Sequence, residues 1–154
     1  MAGLLLCAAV GWGSPASSGV LIDVGAPPSE SSLGFGWSKR EKDSERTFQW
    51  IDRMEADVWF ELAAPAAMRL YVTAAPQYMG WRRQKVGVIL NDRYLGEFLC
   101  EHNPSFQVYD LPVPSEYLLA GKNRLVLRMA YRESLGRDPR ELALAVDAVE
   151  LKPE

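Results

Sequence analysis

The chain has 154 residues, 48% of them hydrophobic, and a formal net charge of -3 at pH 7. That length and apolar share can build one proper core without leaning on disulfides. Its 17 Lys and Arg are scattered, with no basic run and no RNA-reading aromatic motif, which argues against nucleic acid as a partner.

The first stretch, MAGLLLCAAVGWGSPASSG, carries an apolar run from Leu4 to Val10 followed by small and turn residues, like the later part of a signal peptide. It has no Lys or Arg ahead of it, and Leu-Leu-Leu-Cys lacks the small residue expected before a lipoprotein cysteine. The run is also far shorter than the roughly 20 residues that cross a bilayer. Three readings stay open: a truncated leader, the last turns of a membrane helix with Trp12 at the interface, or an apolar arm packed on the domain. Residues 1–18 are expected to be a leader or the end of a membrane helix, and residues 19–154 the folded domain. The expected location is extracytoplasmic: secreted, periplasmic or membrane-tethered.

From Gly19 onward, short runs of β-branched, aromatic and aliphatic residues are punctuated by Gly, Pro and Asn, with almost no period of 3.6. The candidate strands are 20–24, 47–51, 56–62, 68–74, 85–90, 94–100, 106–111, 124–131 and 142–151. Such spacing predicts an all-β fold, a two-sheet antiparallel β-sandwich in which each strand buries one face. Ala56, Val58, Phe60 and Leu62 share one face, and Met68, Leu70 and Val72 another. A hairpin through Ala63–Ala67 would set Trp59 opposite Tyr71, whereas a crossing between sheets would keep the faces and lose that pairing. The last run changes phase between Val146 and Val149, which predicts a bulge near Asp147. Asn91-Asp92-Arg93 reads as a hairpin connection, and Pro114-Ser115 to Gly121 as one helical turn. Pro104, Pro112 and Pro139 are expected between strands.

Cys7 and Cys100 cannot form a disulfide framework, so cysteine leaves the redox compartment open. Cys100 reads as a small buried hydrophobe. The one histidine, His102, has no partner nucleophile or carboxylate at a recognisable spacing, and no hydrolase, metalloprotease or phosphate-loop motif is present. Glu41, Asp43 and Glu45 sit in the charged run SKREKDSER, which reads as a solvated loop rather than a glycosidase pair. The chain is therefore read as no enzyme and as needing no cofactor, with metal content left open.

Five stretches in order, GFGWSKRE (34–41) with RTFQW (46–50), VILNDRYLGEF (88–98), LLAGKNRLVL (118–127) and GRDPRELALAVDAVEL (136–151), carry a resemblance. The chain resembles the galactose-binding-like jelly-roll modules of bacteria, accessory domains often found beside membrane segments or catalytic domains of glycan-handling and sulfatase-like proteins. The resemblance covers roughly Val20 to Pro153. It implies a non-catalytic accessory module with a sugar-binding surface, and as partners a glycan and a neighbouring membrane or catalytic domain. The alternative is a structural domain packed beside a membrane enzyme with no ligand of its own.

Sugar recognition needs flat aromatic faces for the pyranose and polar groups at the rim. Trp81, Tyr78 and Trp37 are read as loop aromatics able to form that platform, with Arg82, Arg40, Asp92 and Asn103 at the rim. Trp37 in Gly-Phe-Gly-Trp reads better as a plug of the sandwich, whereas Trp81, among Gly80, Arg82 and Arg83, reads better as platform. Trp59 with Tyr71 is a third candidate. Arg137, Asp138, Arg140 and Glu141 carry both signs around a proline and are read as pinning their loop, toward Lys39-Arg40-Glu41 if the two loops share an end.

Overall fold

The structure is a computed structural model that describes residues 17–154. The expected leader lies outside these residues except for Ser17 and Ser18. Ten strands follow: β1 (Val20–Asp23), β2 (Trp37–Lys42), β3 (Thr47–Ile51), β4 (Glu55–Leu62), β5 (Met68–Pro76), β6 (Lys85–Leu90), β7 (Arg93–Leu99), β8 (Gln107–Val113), β9 (Gly121–Met129) and β10 (Leu144–Pro153). They form two antiparallel sheets, one in the order β2-β3-β10-β5-β8 with β1 beside the second half of β10, the other β4-β9-β6-β7.

The alternation expected of strands with one buried face is plain in β4, β5 and β6. Val58, Phe60 and Leu62 of β4 and Val86, Val88 and Leu90 of β6 meet Met68, Leu70 and Val72 of β5 and Leu144, Val149 and Leu151 of β10 in one core. Burying a side chain of this size contributes roughly 1.5–3 kcal/mol, so the sheet faces rather than the loops hold the fold. The register of β10 on β5 shifts between Val146 and Ala148, the bulge the sequence predicts. Asn91 and Asp92 both take positive φ, at 49° and 64°, as a two-residue hairpin turn of matching twist requires.

Three expectations are corrected. Trp37, Arg40 and Glu41 stand on strand β2 and not in a loop, and only Asp43–Arg46 turns. The mixed charges hide this strand because β2 is a sheet edge with Lys39, Arg40 and Lys42 exposed, so no apolar alternation marks it. Pro112 lies inside β8 opposite Arg69, tolerated because β8 is also an edge. The Ala63–Ala67 connection crosses between sheets, so Trp59 and Tyr71 lie on different sheets and form no joint surface.

The registers define two ends. Ile51, Leu144 and Pro76 lie together at one end of the larger sheet. The short 52–54 link joins Ile51 to Glu55, which with Arg128 and Met129 marks the same end of the smaller sheet. This upper end gathers the loops 52–54, 77–84, 100–106 and 130–143. The lower end gathers 63–67, 91–92 and 114–120, with Gly19 beside Leu151 and the Glu154 amide bonded to the Ala67 carbonyl.

Candidate functional site

The upper end is organised by one buried amide. Gln84 is 1% exposed; its Nε2 donates to the carbonyls of Tyr131 and Ala143, and its Oε1 accepts from the amides of Ala130 and Tyr131. It thereby fixes the end of the 77–84 loop to both sides of the 130–143 loop. A buried polar group is tolerated only when its hydrogen bonds are made, so this glutamine sets the relative position of the two loops.

Above that tie the chain turns at Gly80, whose φ of 64° suits a residue without a Cβ. The turn projects Trp81, which is 86% exposed, with Tyr78 at 54% beside it in the sequence. Tyr78, Met79 and Gly80 line a cleft with Glu133 and Leu135 from the facing loop. Arg82 pairs with Glu133, and its guanidinium lies 4.8 Å over the Tyr131 ring. Tyr131, Glu133 and Leu135 were not singled out from sequence: Tyr131 reads as the end of a strand run, and the other two lie in a loop with no aromatic motif to mark them.

A second, polar cleft lies at the same end, lined by Asp52, Arg53, Arg132, Pro139, Arg140 and Glu141. Arg132 donates to the Asp52 carbonyl at 2.9 Å and pairs with Glu141 at 3.1 Å. Arg140 bonds Glu41 at 2.7 Å, Ser38 at 3.1 Å and Asp138, so the 130–143 loop is tied to β2. The Arg140 side chain, followed by its backbone amide, holds the Asp138 carboxyl down at about 2. Arg137 is exposed and outside these pairs.

The other candidates disperse. Trp37 is half-buried against the core, and its indole N–H donates to the Asp57 carbonyl at 2.8 Å. Gly36 permits that placement with φ at 96°, where an added Cβ would meet the Glu55 carbonyl at 2.1 Å. Trp37 is thus a plug. Arg40 bonds Glu30 at 2.6 Å. Asp92 lies in the β6–β7 turn, at the end of β6 opposite the Trp81 loop, and pairs with Arg124 at 3.6 Å. Asn103 is at the upper end, but its side chain accepts from the Ser105 amide. Trp59 lies under Lys122 and Arg124, and Tyr71 under Lys152. Of the expected platform and rim, the structure joins Tyr78, Trp81 and Arg82 in one loop, with Asn103 at the same end.

No sequence-family model and no curated protein matches the chain. Solved structures do. The GH26-CBM35 β-(1,4)-mannanase of Podospora anserina aligns with a TM-score of 0.54 at 16% identity over 89% of this chain, which spans 28% of the mannanase. The CBM36-1 domain of a multidomain xylanase from the hindgut metagenome of Trinervitermes trinervoides gives 0.54 at 10% identity, over 89% of this chain and 98% of that one. A family 35 carbohydrate-binding module from Clostridium thermocellum gives 0.52 at 8% identity, over 89% and 99%. The fold is that of the carbohydrate-binding-module jelly rolls. At these identities the likeness speaks to fold, and the site has to be argued from this chain's own residues.

Proposed function

We propose that this domain is a non-catalytic carbohydrate-binding module of an exported or membrane-tethered protein, and that it holds a glycan at the upper end through Trp81, Tyr78 and the facing 130–143 loop. The observation that carries the reading is the exposure of Trp81, 86% on a loop whose base is anchored by a buried glutamine. A large aromatic held in water on a fixed support gains nothing from the fold. It gains when the apolar face of a pyranose covers it. Arg82 and Glu133, held as a pair beside the cleft, supply the donors and acceptors that orient sugar hydroxyls. The likeness in fold to two modules whose whole length this chain covers supports the same reading.

Retention on a panel of immobilised glycans tests it. The wild-type chain is expected to be retained on at least one glycan, and Trp81→Ala to lose that retention with unchanged thermal unfolding. Equal retention of the two proteins, or no retention of the wild type across the panel, overturns the reading in favour of a structural domain.

A further inference from the structure

The cleft between the two upper loops has two halves of different chemistry. Leu135 and Met79 make one of them apolar, while Glu133 with its partner Arg82 makes the other polar. Both halves are held in place by backbone. Glu133 exchanges hydrogen bonds with Leu142 at 2.9 Å in each direction, and the Asp138 amide donates to the Leu135 carbonyl, closing the turn beyond it. Across the cleft the Arg82 amide donates to the Met79 carbonyl, which closes the turn at Gly80. The cleft volume of about 300 Å³ is at the small end of ligand sites, and suits one sugar ring with its substituents.

The polar half is only partly used by the fold. Arg82 Nη2 donates to Glu133 Oε2, and among the described residues no hydrogen bond engages Glu133 Oε1 or the other side-chain N–H groups of Arg82. A carboxylate only accepts and a guanidinium only donates, so a ligand fits best here if it sets a donor and an acceptor side by side. The apolar half asks for something else. Leu135 is 38% exposed over Met79 at 6%. A sugar hydroxyl pressed against them would lose water and gain no partner, whereas a methyl group is favoured there. An acetamido group carries all three features, its N–H, its carbonyl and its methyl being fixed in one plane. A deoxy sugar brings the methyl without the amide, and an O-acetyl ester lacks the N–H.

We propose that the glycan held at the Trp81 end contains an N-acetylated amino sugar, whose amide N–H donates to Glu133, whose carbonyl accepts from Arg82 and whose methyl lies against Leu135 and Met79. The inference rests on the glycan reading of this end and adds the class of sugar. Tyr78 and Trp81 take the face of the ring, which most sugars share, and the Glu133–Leu135 wall selects the substituent. One methyl-sized group in an apolar pocket discriminates by about 10–200-fold, so the preference for the acetylated sugar should be at least tenfold.

The test is titration of the full chain with chitohexaose, cellohexaose and fully deacetylated chitohexaose, which share one backbone and differ in a single ring substituent. Chitohexaose is expected to bind at least tenfold more tightly than either of the others. Leu135→Asn should bring it down to the cellohexaose level with unchanged thermal unfolding, and Leu135→Met should keep the preference. In the wild-type complex the acetyl methyl should give nuclear Overhauser contacts to the Leu135 methyls, a readout that needs no variant. Equal binding of chitohexaose and cellohexaose, tightest binding of the deacetylated chain, a Leu135→Asn protein with the full preference, or an acetyl methyl without contact to Leu135 overturns the acetamide claim and leaves the glycan reading standing. So does a panel on which only glycans without acetamido groups, deoxy-sugar polymers included, are retained. A panel that retains nothing overturns both.

Discussion

Arg140 Nη1 donates to Glu41 Oε1 at 2.7 Å across 99 residues of sequence, fastening the longest upper loop to the edge strand β2. The same guanidinium bonds Asp138 in its own loop, so one side chain closes a turn and ties it down. Pairs this close to solvent contribute little to stability. Arg140→Met should therefore shift the melting temperature by only a few degrees, while amide exchange in residues 134–141 rises well above the wild-type rate. A melting shift above 10 °C, or unchanged exchange, would show that the tie has another role.

The acid limit of that tie follows from Asp138. Its carboxyl is held at about 2, below the ordinary value of 3.8, by the Arg140 side chain and then by the Arg140 amide. A depressed carboxyl contributes stability above its unfolded value and loses it as pH falls through the folded one. The loop should stay closed down to pH 4 and open progressively between about 4 and 2. Carbon-detected NMR of the Asp138 carboxyl reads this directly, and a midpoint near 4 would contradict it.

Two buried amides should separate stability from binding. Asn123 is 0% exposed at the lower end, where it bonds Asn91, Leu119 and Gly121. Gln84 does the equivalent work at the upper end. Replacing either by Leu strands several backbone groups and should cost about 2–4 kcal/mol in chemical denaturation. At temperatures where both variants are folded, Gln84→Leu should weaken glycan retention and Asn123→Leu should not. Equal effects on retention would remove Gln84 as the support of the Trp81 loop.

Cys100 is fully buried, and desolvation pushes its thiol up to about 12, from an ordinary value near 9.0. A raised acid favours the neutral form in the folded state. Folded and unfolded chains therefore bind the proton equally below pH 9, and above it the unfolded chain loses the proton first. Stability should fall by about 1.4 kcal/mol per pH unit between about pH 9 and 12 on this account. Cys100→Ala should flatten that slope in urea titrations between pH 9 and 11, and an unchanged slope would assign the loss to other groups. At neutral pH the thiol should resist alkylation until the protein unfolds.

The strands were legible because their chemistry is binary. In β4 and β5 every second residue is apolar and buried, so period two alone places them. β2 was not legible, since an edge strand wetted on both sides repeats no pattern, and Trp-Ser-Lys-Arg-Glu-Lys looks like a loop until β3 is seen beside it. The candidate site divided along the same lines. Trp81 stood out because its neighbours are polar and flexible, a local property. That Asp92 belongs to the opposite end, that Trp37 is fastened to the Asp57 carbonyl, and that Glu133 and Leu135 face Tyr78 all depend on which strands pair. Pairing of strands far apart in sequence is not written in any one segment.

Indole NMR tests the central claim most directly. The chain has five tryptophans, each with one indole N–H signal, and Trp81→Phe assigns the one that matters. Titration with a retained glycan should move the Trp81 signal and leave that of Trp37, bonded to the Asp57 carbonyl, in place. A glycan that moves the Trp37 or Trp59 signal while Trp81 stays still, or a panel that moves none of the five, contradicts a sugar site at the Trp81 end.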